Sequence, residues 1–153
     1  MKMNFVVKID KDRIYKFDLE EELKIERDDL DSQLGEQPSK FAWFASMCAM
    51  AHAKAEKAEY RLKQYEAEID LKIRESKGDA KLTEAAIKAK VMNDSERLAL
   101  VNRLIAAKEQ YEIVQAARDA FDQRKDCLIS IGANRRAEHD VECFLKEKKK
   151  NRD

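Results

Sequence analysis

From Phe41 onward, Phe41, Phe44, Cys48, Ala51, Ala55, Ala58, Leu62, Tyr65 and Ile69 recur at alternating steps of three and four. That spacing keeps them on one face of a helix that pairs with another. Small side chains at Ala51, Ala55 and Ala58 let the neighbour come close, and bulkier ones fill the two ends. Trp43, Met47 and Met50 lie off this seam, so the first turns are apolar on a second side and are expected to meet both the N-terminal segment and another subunit. A second seam, Leu100, Leu104, Ala107, Tyr111, Val114, Phe121 and Leu128, predicts another long helix from about 94 to 131, interrupted by Arg118 and Lys125 and ended by Gly132. At 1.5 Å per residue the two helices each span roughly 50 to 60 Å, enough to pair antiparallel over most of their length.

The remaining pattern is shorter in range. "FVVKI" and "RIYKF" are rich in β-branched and aromatic residues and flank Asp10, Lys11 and Asp12, which predicts a small β-hairpin that needs something to pack on. "DLEEELKI" predicts a short acidic helix with Asp18 as its N-cap. Gly35 and Pro38 mark a boundary after it. Thr83 and Glu84 open a short helix to Met92, and Asn93 with Glu96 forms a capping box for the next. The expected fold is mainly α: two long antiparallel helices, a short helix after an elbow and a small N-terminal hairpin. The expected segments are 1–36 (hairpin and acidic helix), 37–132 (long helical hairpin) and 133–153 (a basic C-terminal segment).

Composition supports long helices and says where charge collects. With one proline and three glycines among 153 residues, few points force regular structure to stop. Charged residues make up 41% and cancel to zero net charge, as ion-paired helix faces do. A thin helical monomer buries little core per residue, so self-association into a homo-oligomer is expected. The cancellation hides separated blocks. From Asp18 to Glu36 nine acids face Lys24 and Arg27, whereas Leu71 to Lys90 holds six bases against Glu75, Asp79 and Glu84. The tail from Leu145 to Asp153 is also basic, with five bases against two acids.

Few residues suggest reaction chemistry. There is no glycine-rich phosphate loop, nucleophile elbow, or serine spaced with histidine and acid, so no catalytic residue is assigned and a non-enzymatic protein is expected. His139 and Cys143 stand four apart, but no second ligand pair closes a metal site. No metal or cofactor is expected. Cys48 belongs to the first seam as a small core residue. Three cysteines without paired spacing fit reduced thiols. With no apolar run near ~20 residues, a cytoplasmic protein without a membrane role is expected. The acidic stretch lacks the alternating ligands and glycine turn of a calcium loop, leaving a solvated face or a contact for a basic partner.

The elbow "LKIRESKGDAK" from Leu71 to Lys81 is the main candidate. It gathers Lys72, Arg74, Lys77 and Lys81 at the end of a helical hairpin, with Lys88 and Lys90 continuing the charge. Bases there either offset the helix dipole or bind phosphates, and repetition in an oligomer turns a modest patch into an electrostatic track. Trp43, Tyr60 and Tyr65 are candidate stacking rings, although core packing is the expected role of Trp43 and Tyr65.

The order of features is similar to a known family. A short acidic helix, a long helix with the early Trp43, the run Leu71-Lys72-Ile73-Arg74 near its end, the Thr83-Glu84 start, "VMND" from Val91 to Asp94 and a second long helix resemble the recombination mediators of tailed phages, the UvsY family, over roughly 18–136. The resemblance implies a ring-like homo-oligomer that binds single-stranded DNA and helps a RecA-like recombinase displace single-strand binding protein. It also implies DNA contact by Lys72 and Arg74, to which charge and position add Lys77 and Lys81. The hairpin, the acids Glu68, Asp70 and Glu75, and the basic tail depart from the family pattern. Two other readings stand beside it: a scaffolding coiled-coil protein whose elbow merely ends a helix, and, less favoured, a chaperone, which calls for apolar hairpin tips.

Overall fold

The computed structural model describes residues 4–8, 13–76 and 83–150. Strands β1 (Asn4–Lys8) and β2 (Ile14–Asp18) pair as a two-stranded sheet, the predicted hairpin. Its turn at Asp10 to Asp12 lies outside the described residues. Asp18 ends β2 and caps α1 (Leu19–Leu23), its Oδ1 accepting from the Glu20 amide at 3.1 Å. A 3-10 turn, Arg27–Asp29, leads into α2 (Leu30–Glu75), which is followed by α3 (Glu84–Met92) and α4 (Ser95–Lys150). No helix among the described residues is long and apolar enough to cross a membrane.

Three predicted boundaries are corrected. α2 begins at Leu30 and runs through Gly35 and Pro38. Proline removes the amide that would bond the carbonyl of Leu34, but side chains on the same turns fasten this stretch. Gln33 Nε2 donates to the carbonyls of Glu26 (2.7 Å) and Asp29 (3.3 Å), and Gln37 Nε2 donates to that of Phe121 (2.6 Å). Gly132 does not end α4, which continues to Lys150. A helical glycine costs only about 1 kcal/mol relative to alanine, too little to stop a helix flanked by Ile131, Ala133 and Arg135. Lastly, Asp94 and not Asn93 caps α4: its Oδ1 accepts from the Arg97 amide at 2.9 Å, while Asn93 closes α3.

The chain divides into two compact units. The first comprises Met1–Val6, Lys16–Ala45 and Ala116–Asp153. Its core is Leu19, Phe44, Ala117 and Phe121, with Phe5, Phe17, Leu23 and Phe41 against it. Phe44 stacks on Phe121 at 4.5 Å between centroids, and Phe17 of the hairpin meets Phe44 and Trp43 edge-on at 5.2 and 6.2 Å. The off-seam apolar side thus receives the hairpin, as the pattern predicts.

The second unit comprises Val7–Tyr15 and Ser46–Gln115. Its buried residues are Val7, Met47, Cys48, Ala51, Ala55, Ile87, Leu100, Ala107 and Val114. Here α2 and α4 run in opposite directions, since Glu59 meets Lys108 and Tyr65 meets Asp94. Every residue of the first seam is buried or half-buried: Phe41, Phe44, Cys48, Ala51 and Ala55 in the early turns, then Ala58, Leu62, Tyr65 and Ile69 with more exposure. The second seam passes through Ala117 and Arg124, both buried. Arg118 and Lys125, expected to break it, lie one position to the side.

Candidate nucleic-acid interface

The last turn of α2 carries Lys72 and Arg74, where basic charge complements free carbonyls. Both are exposed, but their surroundings differ. Arg74 is held by two carboxylates: Nε and Nη2 donate to Asp70 at 2.7 and 3.4 Å, and Nη1 and Nη2 donate to Glu84 at 2.8 Å each. These hydrogen bonds, Glu84 foremost, push the guanidinium pKa up, and Arg74 in turn holds the Glu84 carboxyl below its usual range. The Lys72 side chain has no hydrogen bond or ion pair among the described residues. Lys77 and Lys81, together with Gly78, lie outside them.

The clamp has a structural consequence. Asp70 lies one turn before Arg74 on α2, and Glu84 is the first residue of α3, so one guanidinium joins the end of one helix to the start of the next. Thr83 completes that start, its Oγ1 accepting from the Ala86 amide at 3.3 Å. The other end of α3 is also fastened to α2. Tyr65 donates its hydroxyl to Asp94 at 2.8 Å, and Arg97 Nε donates to Glu66 at 2.7 Å. The Asp94 carboxyl is lowered by the Arg97 amide and the Tyr65 hydroxyl, and the Tyr65 hydroxyl is raised by the same contact. With Ile87 buried between these ties, both anchor points of the elbow are set.

An open groove of about 490 Å³ runs along this frame, lined by Glu66, Asp70, Glu84, Ala85, Lys88, Val91 and Met92. Three carboxylates against one lysine make its walls a poor place for a phosphate. Among the described residues, the cations suited to one are Lys72 on α2 and Lys90 on α3, both exposed, with Arg74 engaged between the helices. The structure therefore groups Lys72 and Arg74 on one turn and gives them different surroundings.

Among the other candidates, Tyr65 and Trp43 have packing roles. Tyr65 is half-buried and bonded, and Trp43 packs on Phe44 at 4.6 Å, whereas Tyr60 is 71% exposed. His139 and Cys143 approach to 3.8 Å on the exposed end of α4, and no group of three or more metal-ligating residues occurs among the described residues. Cys48 is buried, and Cys127 and Cys143 are exposed and free.

The pattern missed the most buried cation among the described residues of the first unit. Arg124 is 6% exposed and donates to neutral oxygens: Gln37 at 2.6 Å, Gln33 at 2.8 Å, and the carbonyls of Lys24 and Leu23 at 3.1 and 3.3 Å. It closes the C-terminal end of α1, whose last carbonyls need partners. The signal for it was present: Arg124 stands three residues beyond Phe121 and four before Leu128, in register with the seam. No family model matches the chain, and no curated protein or solved structure matches it.

Proposed function

We propose that this protein is a non-enzymatic, single-stranded-DNA-binding recombination mediator that assembles as a homo-oligomer and helps a RecA-like recombinase replace single-strand binding protein. The observation that carries this reading is the cationic hairpin end. Lys72 is exposed and, among the described residues, without a side-chain partner, two positions from an exposed Arg74 on the last turn of α2, where the basic elbow begins. The order of elements also agrees with the order on which the family resemblance rests. Such a function needs no reacting groups: lysine and arginine displace counterions from a bound strand, independently of its sequence.

Arg74 then has two roles. In the free chain it ties α2 to α3, and a phosphate must compete with Asp70 and Glu84 for its fork, which suits phosphate and carboxylate alike. That same clamp favours a second reading, in which the protein is a scaffold and the elbow only a helix junction.

One titration separates the two. Fluorescence anisotropy of a labelled single-stranded oligonucleotide, with a duplex control, is measured at low and high salt. The mediator binds the single strand with an affinity that falls steeply with salt, and it speeds recombinase loading onto a strand already covered by single-strand binding protein. Absence of salt-sensitive binding leaves the scaffold.

A further inference from the structure

In the second unit, a hollow of about 210 Å³ between α2 and α4 is lined by Lys57, Ala58, Arg61, Leu100 and Arg103. Three of the five are cations, and among the described residues none of the three has a hydrogen bond or ion pair through its side chain. Neighbouring cations are engaged: Lys63 bonds Glu59 at 2.8 Å, and Lys108 meets Glu59 at 3.6 Å. Lys57 and Arg61 are one turn apart on the same face of α2, a like-charge spacing that disfavours a helix, and the antiparallel pairing brings Arg103 to the same place.

We propose that this hollow is a second phosphate-binding site for single-stranded nucleic acid, with the exposed ring of Tyr60, on the same turn of α2, available to stack a base. The floor is apolar. Leu100 is buried and Ala58 half-buried, and low polarity beneath a charge strengthens its attraction for an anion. Small Ala58, placed in the seam for close helix approach, leaves the space. Two guanidiniums offer planar forks that match phosphate oxygens. Tyr60 adds the aromatic half of single-strand binding, which tolerates any base.

The site has a boundary. An adjoining hollow shares Arg61 and Leu100 but includes Glu68 and Glu96, so carboxylates interrupt the positive surface between Arg61 and Lys72. The hollow is therefore a separate contact and not an extension of the elbow. It rests on the single-strand-binding reading above and uses none of the elbow's residues.

The test is anisotropy of a labelled oligothymidylate across a salt series, with the full chain and four variants whose folding is checked by circular-dichroism melting. Lys57→Gln/Arg61→Gln/Arg103→Gln is expected to flatten the slope of log affinity against log salt by about 0.7 × 3 ≈ 2. Tyr60→Ala is expected to weaken single-strand binding by roughly fivefold or more, with the slope unchanged. If the triple variant melts early, Arg103→Gln alone decides, with a change near 0.7. A parental slope in the triple variant, alongside a flattened slope in Lys72→Ala/Arg74→Ala, removes this site and keeps the mediator. The reverse pattern keeps this site and removes the elbow. Equal losses on single strand, duplex and heparin, with Tyr60→Ala silent, overturn the single-strand assignment. No salt-sensitive binding by the parent removes both this site and the mediator.

Discussion

Arg124 and Arg74 meet opposite environments, and each has the partners its environment permits. Arg124 is buried among neutral acceptors, two glutamines and two backbone carbonyls. Burial lowers its pKa, with the Glu36 and Glu22 charges opposing, and its network fixes where α1 ends against α2 and α4. Arg74 is exposed and paired with two carboxylates that solvent and salt reach. A buried guanidinium with filled donors is a structural part. An exposed one bonded to carboxylates sits in a site where another anion can compete.

The largest expected effect breaks the buried side of that comparison. Arg124→Met takes the guanidinium donor from Gln37 and two carbonyls, leaves Gln33 Oε1 only the Glu26 amide at 3.3 Å, and is expected to cost about 3 kcal/mol, read by urea denaturation. Binding of single-stranded DNA by the folded variant should match the parent. A destabilisation under 1 kcal/mol would mean that the network is incidental.

On the exposed side, Glu84→Gln removes one of the two anions that hold Arg74. It is expected to tighten single-strand binding severalfold at low salt and to loosen the start of α3, seen as faster amide exchange at Ala86 and Ile87. Unchanged affinity would show that the clamp does not compete with DNA. The far end of α3 gives a pH test. Asp94 has a lowered folded pKa, so its contribution is present above the unfolded carboxylate value and is lost as pH falls through the folded one. Asp94→Ala should lower the melting temperature at pH 7, and the gap should close below about pH 4. The smallest effect concerns continuity of α4. Gly132→Ala places a Cβ in ordinary contact, 3.6 Å from Arg136 Nη1, and is expected to stabilise by about 0.5 to 1 kcal/mol. Destabilisation there would argue for a break in the helix.

Much of this architecture was legible in the periodicity. The seam from Phe41 to Ile69, the hairpin, the cap at Asp18 and the short helix from Glu84 to Met92 follow from spacing and capping chemistry. The larger errors, at Gly35 and Pro38 and at Arg124, share one cause: local signals were overridden by partners distant in sequence. Gln33 and Gln37 carry α2 across Gly35 and Pro38 by bonding to residues such as Phe121 and Arg124, which no local window includes. Arg124 was left out of the seam, and Arg118 and Lys125 were read as interruptions, because a seam was expected to be apolar, although long polar side chains fill such positions when neutral acceptors surround them. At the candidate site, spacing grouped Lys72 with Arg74, but the partner that distinguishes them, Glu84, is ten residues from Arg74. The cations at Lys57, Arg61 and Arg103 were missed because two lie on one helix and one on the other, and only the antiparallel pairing brings them together.

The salt dependence of single-strand binding by the parent and by Lys72→Ala/Arg74→Ala tests the central claim most directly. Two lost phosphate contacts should flatten the slope of log affinity against log salt by about 0.7 × 2 ≈ 1.4, with assembly and the helicity of α2 and α4 unchanged and only the start of α3 loosened. Identical slopes in parent and variant would contradict a phosphate site at the hairpin end.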